Sequence, residues 1–138
     1  MKARNTFLIC IIFLGLANTS FAQNLFDAAN FTPDSLNENV TVHQMCSDRH
    51  ETSYLIWVKD SVKPHYHAKH TELIYVLQGE GLFYLGSETM VIKKGDYLRI
   101  PEGQIHSFKT TSQAEVKVIS VQTPEFLGQD RIWVDHQK

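Results

Sequence analysis

The sequence predicts an all-β protein, either a barrel or a double-sheet jelly roll, and two observations carry this prediction. From residue 40 onward, short runs rich in β-branched and aromatic residues alternate with turns that contain glycine or proline. No stretch after residue 22 shows the apolar repeat of about 3.6 residues that an amphipathic helix requires. Roughly eight short strands separated by such turns are typical of a closed or two-sheet β architecture.

The first 22 residues are expected to be a secretory signal peptide. Lys2 and Arg4 give a positive start, residues 7–17 form an apolar run, and residues 20–22 read as a small-x-small cleavage site. The apolar run has 11 residues, fewer than the roughly 20 that span a membrane as a helix. The sequence therefore predicts cleavage after Ala22, a secreted or periplasmic location, and no membrane attachment afterwards. An uncleaved anchor is the alternative.

Cleavage at this point would leave a mildly acidic chain. Residues 23–138 carry 11 basic and 15 acidic side chains, which gives a formal charge of −4. This balance argues against binding of nucleic acid through its phosphate backbone. Cys46 is the single cysteine in residues 23–138, so no disulfide can form within the mature chain, and we expect the thiol to be buried.

Taken in order, the mature chain divides into an arm and a barrel domain. Residues 23–39 are polar and irregular, as in a flexible leader or an arm that packs on a partner subunit. Residues 40–138 are predicted to form the barrel, with Trp57, Phe83 and Phe108 as core aromatic residues. The predicted strands are residues 40–42, 51–58, 72–77, 82–85, 89–92, 97–100, 105–108 and 115–122, with residues 131–134 as an edge strand or a short cover.

A cluster of histidines follows the second predicted strand and points to metal chemistry. In an extended strand, residues two apart face the same side, so His65 and His67 present their rings together. A turn at residues 68–71 would bring Glu72 back to that side. Two imidazole nitrogens and a carboxylate oxygen suit a divalent first-row metal, and His106 could supply a fourth ligand.

These residues lie in two motifs that resemble the signatures of the cupin superfamily. The first motif is glycine, five residues, His-x-His, three or four residues, glutamate, six residues, glycine; it is matched by His65, His67, Glu72 and Gly79, with Lys59 in place of the leading glycine. The second is glycine, five residues, Pro-x-Gly, two residues, histidine, three residues, asparagine; it is matched by Gly95, Pro101, Gly103 and His106, with Thr110 in place of the asparagine. Neither departure touches a metal-ligand position.

The resemblance implies a small single-domain cupin β-barrel, a double-stranded β-helix or jelly roll of the type 2 conserved-barrel kind. In it, His65, His67, Glu72 and His106 would hold one divalent transition metal: manganese, iron, nickel, copper or zinc. Cupins include oxygenases, decarboxylases, isomerases and lyases as well as binding proteins, and they are commonly homodimers. The resemblance therefore implies a metal-dependent enzyme acting on a small oxygenated organic molecule. A non-catalytic small-molecule or sugar-binding module is the alternative.

Three further residues are candidates for a role beside the metal. His70 lies between the predicted ligands and could act as an acid or base, or as an alternative ligand; the alternative is a solvent-facing loop histidine. Tyr97 and Arg99 share one strand face and could bind a carboxylate substrate, because a guanidinium matches carboxylate geometry. The alternative for this pair is a solvated outer face.

Overall fold

The computed structural model describes residues 25–134, and the regular secondary structure in this part of the chain consists of ten β-strands. The strands are β1 (Val40–Asp48), β2 (Glu51–Val58), β3 (Ser61–Tyr66), β4 (Thr71–Gln78), β5 (Glu80–Leu85), β6 (Glu88–Lys93), β7 (Tyr97–Ile100), β8 (His106–Thr110), β9 (Val116–Thr123) and β10 (Ile132–Trp133). Within residues 25–134, no helix is long and apolar enough to cross a membrane.

The strands form two five-stranded sheets that face each other, and the predicted all-β fold is confirmed. One sheet has the order β1-β2-β9-β4-β7 and the other β10-β3-β8-β5-β6. Every pairing is antiparallel, and strands distant in sequence lie side by side, as β9 does between β2 and β4. This arrangement is the two-sheet jelly roll that the strand and turn pattern predicted, and the double-stranded β-helix that the resemblance implied.

The core lies between the two sheets because alternate residues of each strand point inward. The first sheet contributes aliphatic side chains, and the second contributes Phe83, Ile92 and Phe108. Phe83 and Phe108 are therefore the core aromatic residues that the sequence predicted. Trp57 is also buried, but it lies on the opposite face of β2 from its core neighbours Ile56 and Val58.

The segment before β1 covers that outer face of the first sheet. The ring centroids of Phe31 and Trp57 lie 6.1 Å apart. The Lys117 ammonium on β9 donates hydrogen bonds to the carbonyls of Ala29 (3.0 Å) and Phe31 (2.8 Å). Residues 25–39 thus pack on the sheet of their own chain, and packing on a partner subunit stays a prediction.

β1 and β3 differ most from the sequence prediction. β1 continues to Asp48 and pairs with β2 down to the Asp48–Glu51 pair, whereas the sequence located only the start of this strand, at residues 40–42. β3 includes residues 61–63, which lie outside the predicted strands, and pairs with β8 across an irregularity between Val62 and His65. Pro64 lies in this irregularity, where a proline costs no ladder hydrogen bond.

The prediction that Cys46 is buried is wrong, because its side chain is exposed. Cys46 lies on β1, an edge strand of the first sheet, next to a register shift between Gln44 and Cys46. Its sulfur lies 2.8 Å from the Ser53 hydroxyl. Burial was expected because an unpaired cysteine in an exported protein is usually buried, but the position of Cys46 on an edge strand leaves it exposed. The predicted signal peptide, residues 1–22, lies outside the described residues.

Candidate metal centre

A cavity of about 810 Å³ opens between the two sheets and reaches into the core. Its walls are mostly aliphatic and aromatic, with contributions from both sheets and from the residues after β9. The polar side chains along it are few, and they are Asn39, Ser61, Lys63, His65, Glu72, His106, Ser107 and Arg131. A largely apolar cavity with a few polar groups is the usual form of a small-molecule site.

Three histidines converge beside this cavity, His65 and His106 line it, and each of the three has its ring held by a backbone carbonyl. The Nδ1 atoms donate to the carbonyls of nearby or facing residues: His65 to Lys63 (2.9 Å), His67 to Asp130 (2.9 Å) and His106 to Gln104 (3.0 Å). A carbonyl can only accept, so Nδ1 carries the proton in all three rings. The Nε2 atoms are then left with free lone pairs, which is the form that binds a metal.

One ring nitrogen from each histidine lies close to the others, and two of the Nε2 atoms have no hydrogen-bond partner among the described residues. One ligand atom from each of His65, His67 and His106 lies within 4.8 Å of the others. Nε2 of His67 and of His106 are buried and make no hydrogen bond within residues 25–134. Buried polar atoms without a partner are rare in folded proteins. Three convergent imidazole lone pairs therefore fit a divalent transition metal.

Glu72, the fourth predicted ligand, lies beside two of these histidines. Its Oε2 is 3.3 Å from His106 Nε2 and 3.6 Å from His67 Nε2, while its Oε1 accepts a hydrogen bond from Ser120. Burial raises the pKa of Glu72, but the nearby His106 and His67 rings and the hydrogen bond from Ser120 outweigh burial and hold that pKa below its ordinary value. An ionised oxygen facing two nitrogen lone pairs requires a cation between them, either a ring proton or a metal ion.

The protonation of His65 also favours metal binding. Burial, followed by the charge of neighbouring His106, lowers the pKa of His65 to about 4. The ring is therefore neutral at pH 7 and does not have to release a proton before it binds a metal. The structure thus brings together all four residues that the motifs proposed as ligands.

His70 is buried and does not line the cavity. Its Nδ1 pairs with the Asp130 carboxylate, and its Nε2 lies 2.9 Å from the Glu125 carbonyl. Both ring nitrogens are occupied by the segment that follows β9. The predicted acid, base or ligand role would require this pairing to open, and the solvent-facing alternative is wrong.

Tyr97 and Arg99 lie on the outer face of the first sheet and away from the cavity. Both side chains are exposed, and the Arg99 guanidinium donates to the Thr71 hydroxyl at 3.4 Å. Their inward neighbours on β7 are Leu98, which packs on the core, and Ile100, which belongs to it. The pair shares one face as predicted, but the structure does not bring it to the metal cluster.

The sequence reading missed the residues that the C-terminal segment, residues 124–134, brings to the site. The Asp130 carboxylate accepts hydrogen bonds from the backbone N–H groups of Ala68 (3.1 Å) and Lys69 (2.8 Å). The ring of Phe126 meets the ring of His67 edge-on, with centroids 5.6 Å apart. These contacts join residues about 60 positions apart, and the local pattern of the tail gave only an edge strand or cover as a signal.

Comparison with known proteins identifies the cupin domain in this chain. The sequence profile of the family described as "Cupin domain" matches residues 53–122. An uncharacterized protein of Aquifex aeolicus is 33% identical over 98 residues, which cover 71% of this chain and 80% of that protein.

Two relatives with stated activities match over shorter stretches. Quercetin 2,3-dioxygenase of Bacillus subtilis is 31% identical over 47% of this chain, but the match spans only 19% of that enzyme. An oxalate-binding protein of Thermotoga maritima is 33% identical over 44% of this chain and 50% of its own length.

Solved structures agree with the fold. An uncharacterized protein with a double-stranded β-helix domain from Klebsiella pneumoniae has a TM-score of 0.68 at 16% identity, over 80% of this chain and 96% of that chain.

Proposed function

Because the chain belongs to the cupin family, we propose that it binds one divalent transition metal through His65, His67, His106 and Glu72. We further propose that it is an exported enzyme that acts on a small oxygenated organic molecule. The observation that carries this proposal is the pair of buried Nε2 atoms, on His67 and His106, that make no hydrogen bond within residues 25–134, although the Glu72 carboxylate lies within 3.6 Å of both. A metal at the point where the rings converge would satisfy both.

Different residues of the chain would have different roles at such a site. The three backbone carbonyls orient the rings, and Ser120 holds one oxygen of Glu72 so that the other faces the histidines. The aliphatic and aromatic walls keep bulk water from a bound molecule. The bound metal would polarise an oxygen of that molecule as a Lewis acid. Manganese, iron, nickel, copper and zinc all accept this mixture of nitrogen and oxygen ligands.

Elemental analysis of natively purified protein tests the metal. We expect about one transition-metal ion per chain in the wild type, and its loss from the His106→Ala variant, since each ligand of a four-residue set is needed for tight binding. His50→Ala is the matched control, because His50 is exposed. Wild-type protein that carries no metal after loading with each candidate ion, or equal metal in the two variants, would contradict the proposal.

Turnover separates an enzyme from a binding module. The quercetin 2,3-dioxygenase relative supports an enzyme, so the metal-loaded protein should be offered organic acids, diketones and phenols, with and without oxygen. Product detected by mass spectrometry and lost in His106→Ala supports catalysis.

A non-catalytic binding module is the second candidate function. Among the described residues, Glu72 is the one carboxylate that lines the cavity, and no other acidic group there could move a proton. The oxalate-binding relative supports the same reading. This alternative predicts that a ligand raises the melting temperature of the metal-loaded protein while mass spectrometry finds no product.

Export and dimer formation are proposed on separate grounds. The positive start, apolar run and cleavage pattern of residues 1–22 support export, and intact mass of the protein recovered from the cell envelope or medium should correspond to a chain that begins at Gln23.

Tyr75 and Tyr97 are 42% and 62% exposed and adjacent on the outer face of the first sheet, which supports a homodimer. A monomer mass measured by light scattering at micromolar concentration would contradict the proposed dimer.

A further inference from the structure

Arg131 lies immediately before β10, and its side chain lines the same cavity as the metal cluster. It also lines a smaller adjoining cleft with Tyr54 and Phe126. Its positive charge lies close enough to His65 to contribute, after burial and the charge of His106, to the lowered pKa of that histidine. Arg131 therefore places a permanent cation inside the cavity and near the proposed metal ligands.

The guanidinium has no acidic partner in the part of the chain that the structure describes. None of the ion pairs between residues 25 and 134 includes Arg131. Its Nε is buried and makes no hydrogen bond there. The side chain as a whole is partly exposed, but a buried donor without an acceptor is unfavourable in a folded protein. The arrangement is more easily understood if an anion from outside the chain occupies this position.

Two aromatic rings hold the guanidinium without using its hydrogen-bond donors. Its Cζ lies 6.0 Å from the ring centroid of Phe126 and 5.9 Å from that of Trp133. Such cation–π contacts favour a fixed position for the charge. A guanidinium held in place loses less freedom when it binds a planar anion, and its parallel N–H groups match the two oxygens of a carboxylate.

We propose that Arg131 binds a carboxylate of the small molecule that occupies the cavity, so that the ligand is an organic acid. This inference rests on the proposed function, because the other end of the ligand would bind the metal. Lys63 is the other cationic side chain that lines the cavity, and it is exposed to water.

Calorimetric titration of metal-loaded and metal-free protein tests the inference. The probes are malonate, succinate and glutarate, the corresponding uncharged diamides, and inorganic phosphate. We expect one dicarboxylate to bind at least about tenfold more tightly than its diamide and more tightly than phosphate, because a good charge-assisted pair is lost in the diamide. The Arg131→Gln variant should bind the dicarboxylate about tenfold more weakly and the diamide unchanged.

Two further variants serve as controls. Arg99→Gln removes an exposed arginine from the outer face of the first sheet and should leave binding unchanged. Arg131→Lys keeps the charge without the planar fork, so it should bind the dicarboxylate more weakly than the wild type. It also replaces Arg131→Gln if that variant does not fold. Metal content and melting temperature are measured for every variant, and both should match the wild type.

The outcomes separate this inference from the proposed function. Wild-type protein that binds no metal contradicts the proposed function, while loss of dicarboxylate binding in metal-free Arg131→Gln would still support the inference. Equal dicarboxylate affinity in the wild type and Arg131→Gln overturns the inference even if the metal is present. Tighter binding of phosphate or of the diamide, or no dicarboxylate binding at all, overturns it as well.

Discussion

Asp130 connects the C-terminal segment to the metal-ligand loop through two different groups. Its backbone carbonyl accepts the Nδ1 proton of His67. Its carboxylate accepts the N–H groups of Ala68 and Lys69 and pairs with His70. One residue thus fixes the ring of a proposed ligand and the turn that brings Glu72 back to the cavity, which makes Asp130 a positioning residue.

We expect Asp130→Asn to weaken both the fold and metal binding. An asparagine keeps one acceptor oxygen but turns an NH₂ group toward donors, so buried donors lose their partner, at a cost of about 1–3 kcal/mol. The backbone carbonyl that holds the His67 ring is kept in this variant, so metal affinity should fall only by roughly tenfold, through the loosened turn that brings Glu72 to the site. Urea unfolding and metal competition titration measure the two effects. Asp34→Asn, at an exposed position, is the control and should change neither.

The stability of the metal-free protein should fall as the pH is lowered. The pKa of His65 is lowered from its ordinary value of 6.5 to about 4 in the folded chain. Between these two pH values the folded state therefore binds fewer protons than the unfolded state. Its contribution is complete above about pH 6.5 and is lost toward pH 4, with a total on the order of 3 kcal/mol. The lowered pKa of Glu72 acts in the same direction.

Urea unfolding of metal-free protein between pH 4 and pH 8 checks this expectation. The His65→Gln variant should show a smaller loss, since a neutral amide does not titrate in this range. A free energy of unfolding that is independent of pH between 6.5 and 4, or the same slope in both proteins, would contradict the assignment.

At the scale of the strands, the packing of β5 against β8 depends on Gly81. A Cβ atom at this position would lie 2.2 Å from Cζ of Phe108 and 2.5 Å from the carbonyl oxygen of Lys109. Gly81 pairs with Thr110 on β8 and Ile92 on β6. The absence of a side chain at this position therefore leaves room for the Phe108 ring, which packs in the core beside Phe83.

We expect Gly81→Ala to destabilise the protein by about 1–3 kcal/mol, because the core must shift to admit one methyl group. Gly81→Ala should destabilise the Phe108→Leu variant less than it destabilises the wild type, since the smaller leucine side chain makes room for the added methyl group. Thermal or urea unfolding of the four proteins gives the coupling energy. Additive effects of the two substitutions would contradict the proposed clash.

The strands themselves were largely predictable, and the reason is local. Short runs rich in β-branched and aromatic residues located β2, β4, β5 and β9, and glycines marked several of the turns between strands. The histidine ligands were predictable for the same reason, because His65 and His67 are neighbours on one face and His106 follows a Pro-x-Gly turn. The first residues of β3 were missed, since their pairing with β8 depends on residues almost 50 positions away.

At the scale of the whole molecule, the sequence did not show how the tail meets the site. Arg131 and Asp130 carry no pattern that separates them from surface residues, and only the paired β10 and β3 strands bring them to the cavity. For the same reason the arginine chosen as a carboxylate ligand from sequence was Arg99, which shares a face with Tyr97. In the folded protein that face points outward, whereas Arg131 lines the same cavity as His65 and His106.

The bonds between the C-terminal segment and the ligand loop have a consequence for backbone exchange with solvent. His67 and His70 are tied to residues 125–130, and the Val134 N–H donates to the Pro64 carbonyl at 3.0 Å. When the C-terminal segment detaches, the imidazoles of His67 and His70 lose their hydrogen-bond partners. A metal ion that binds more tightly while the segment is attached therefore makes its detachment less favourable. Deuterium uptake at Val134 should therefore slow on addition of metal to the wild type and stay fast in His106→Ala, although the tail never touches the ion.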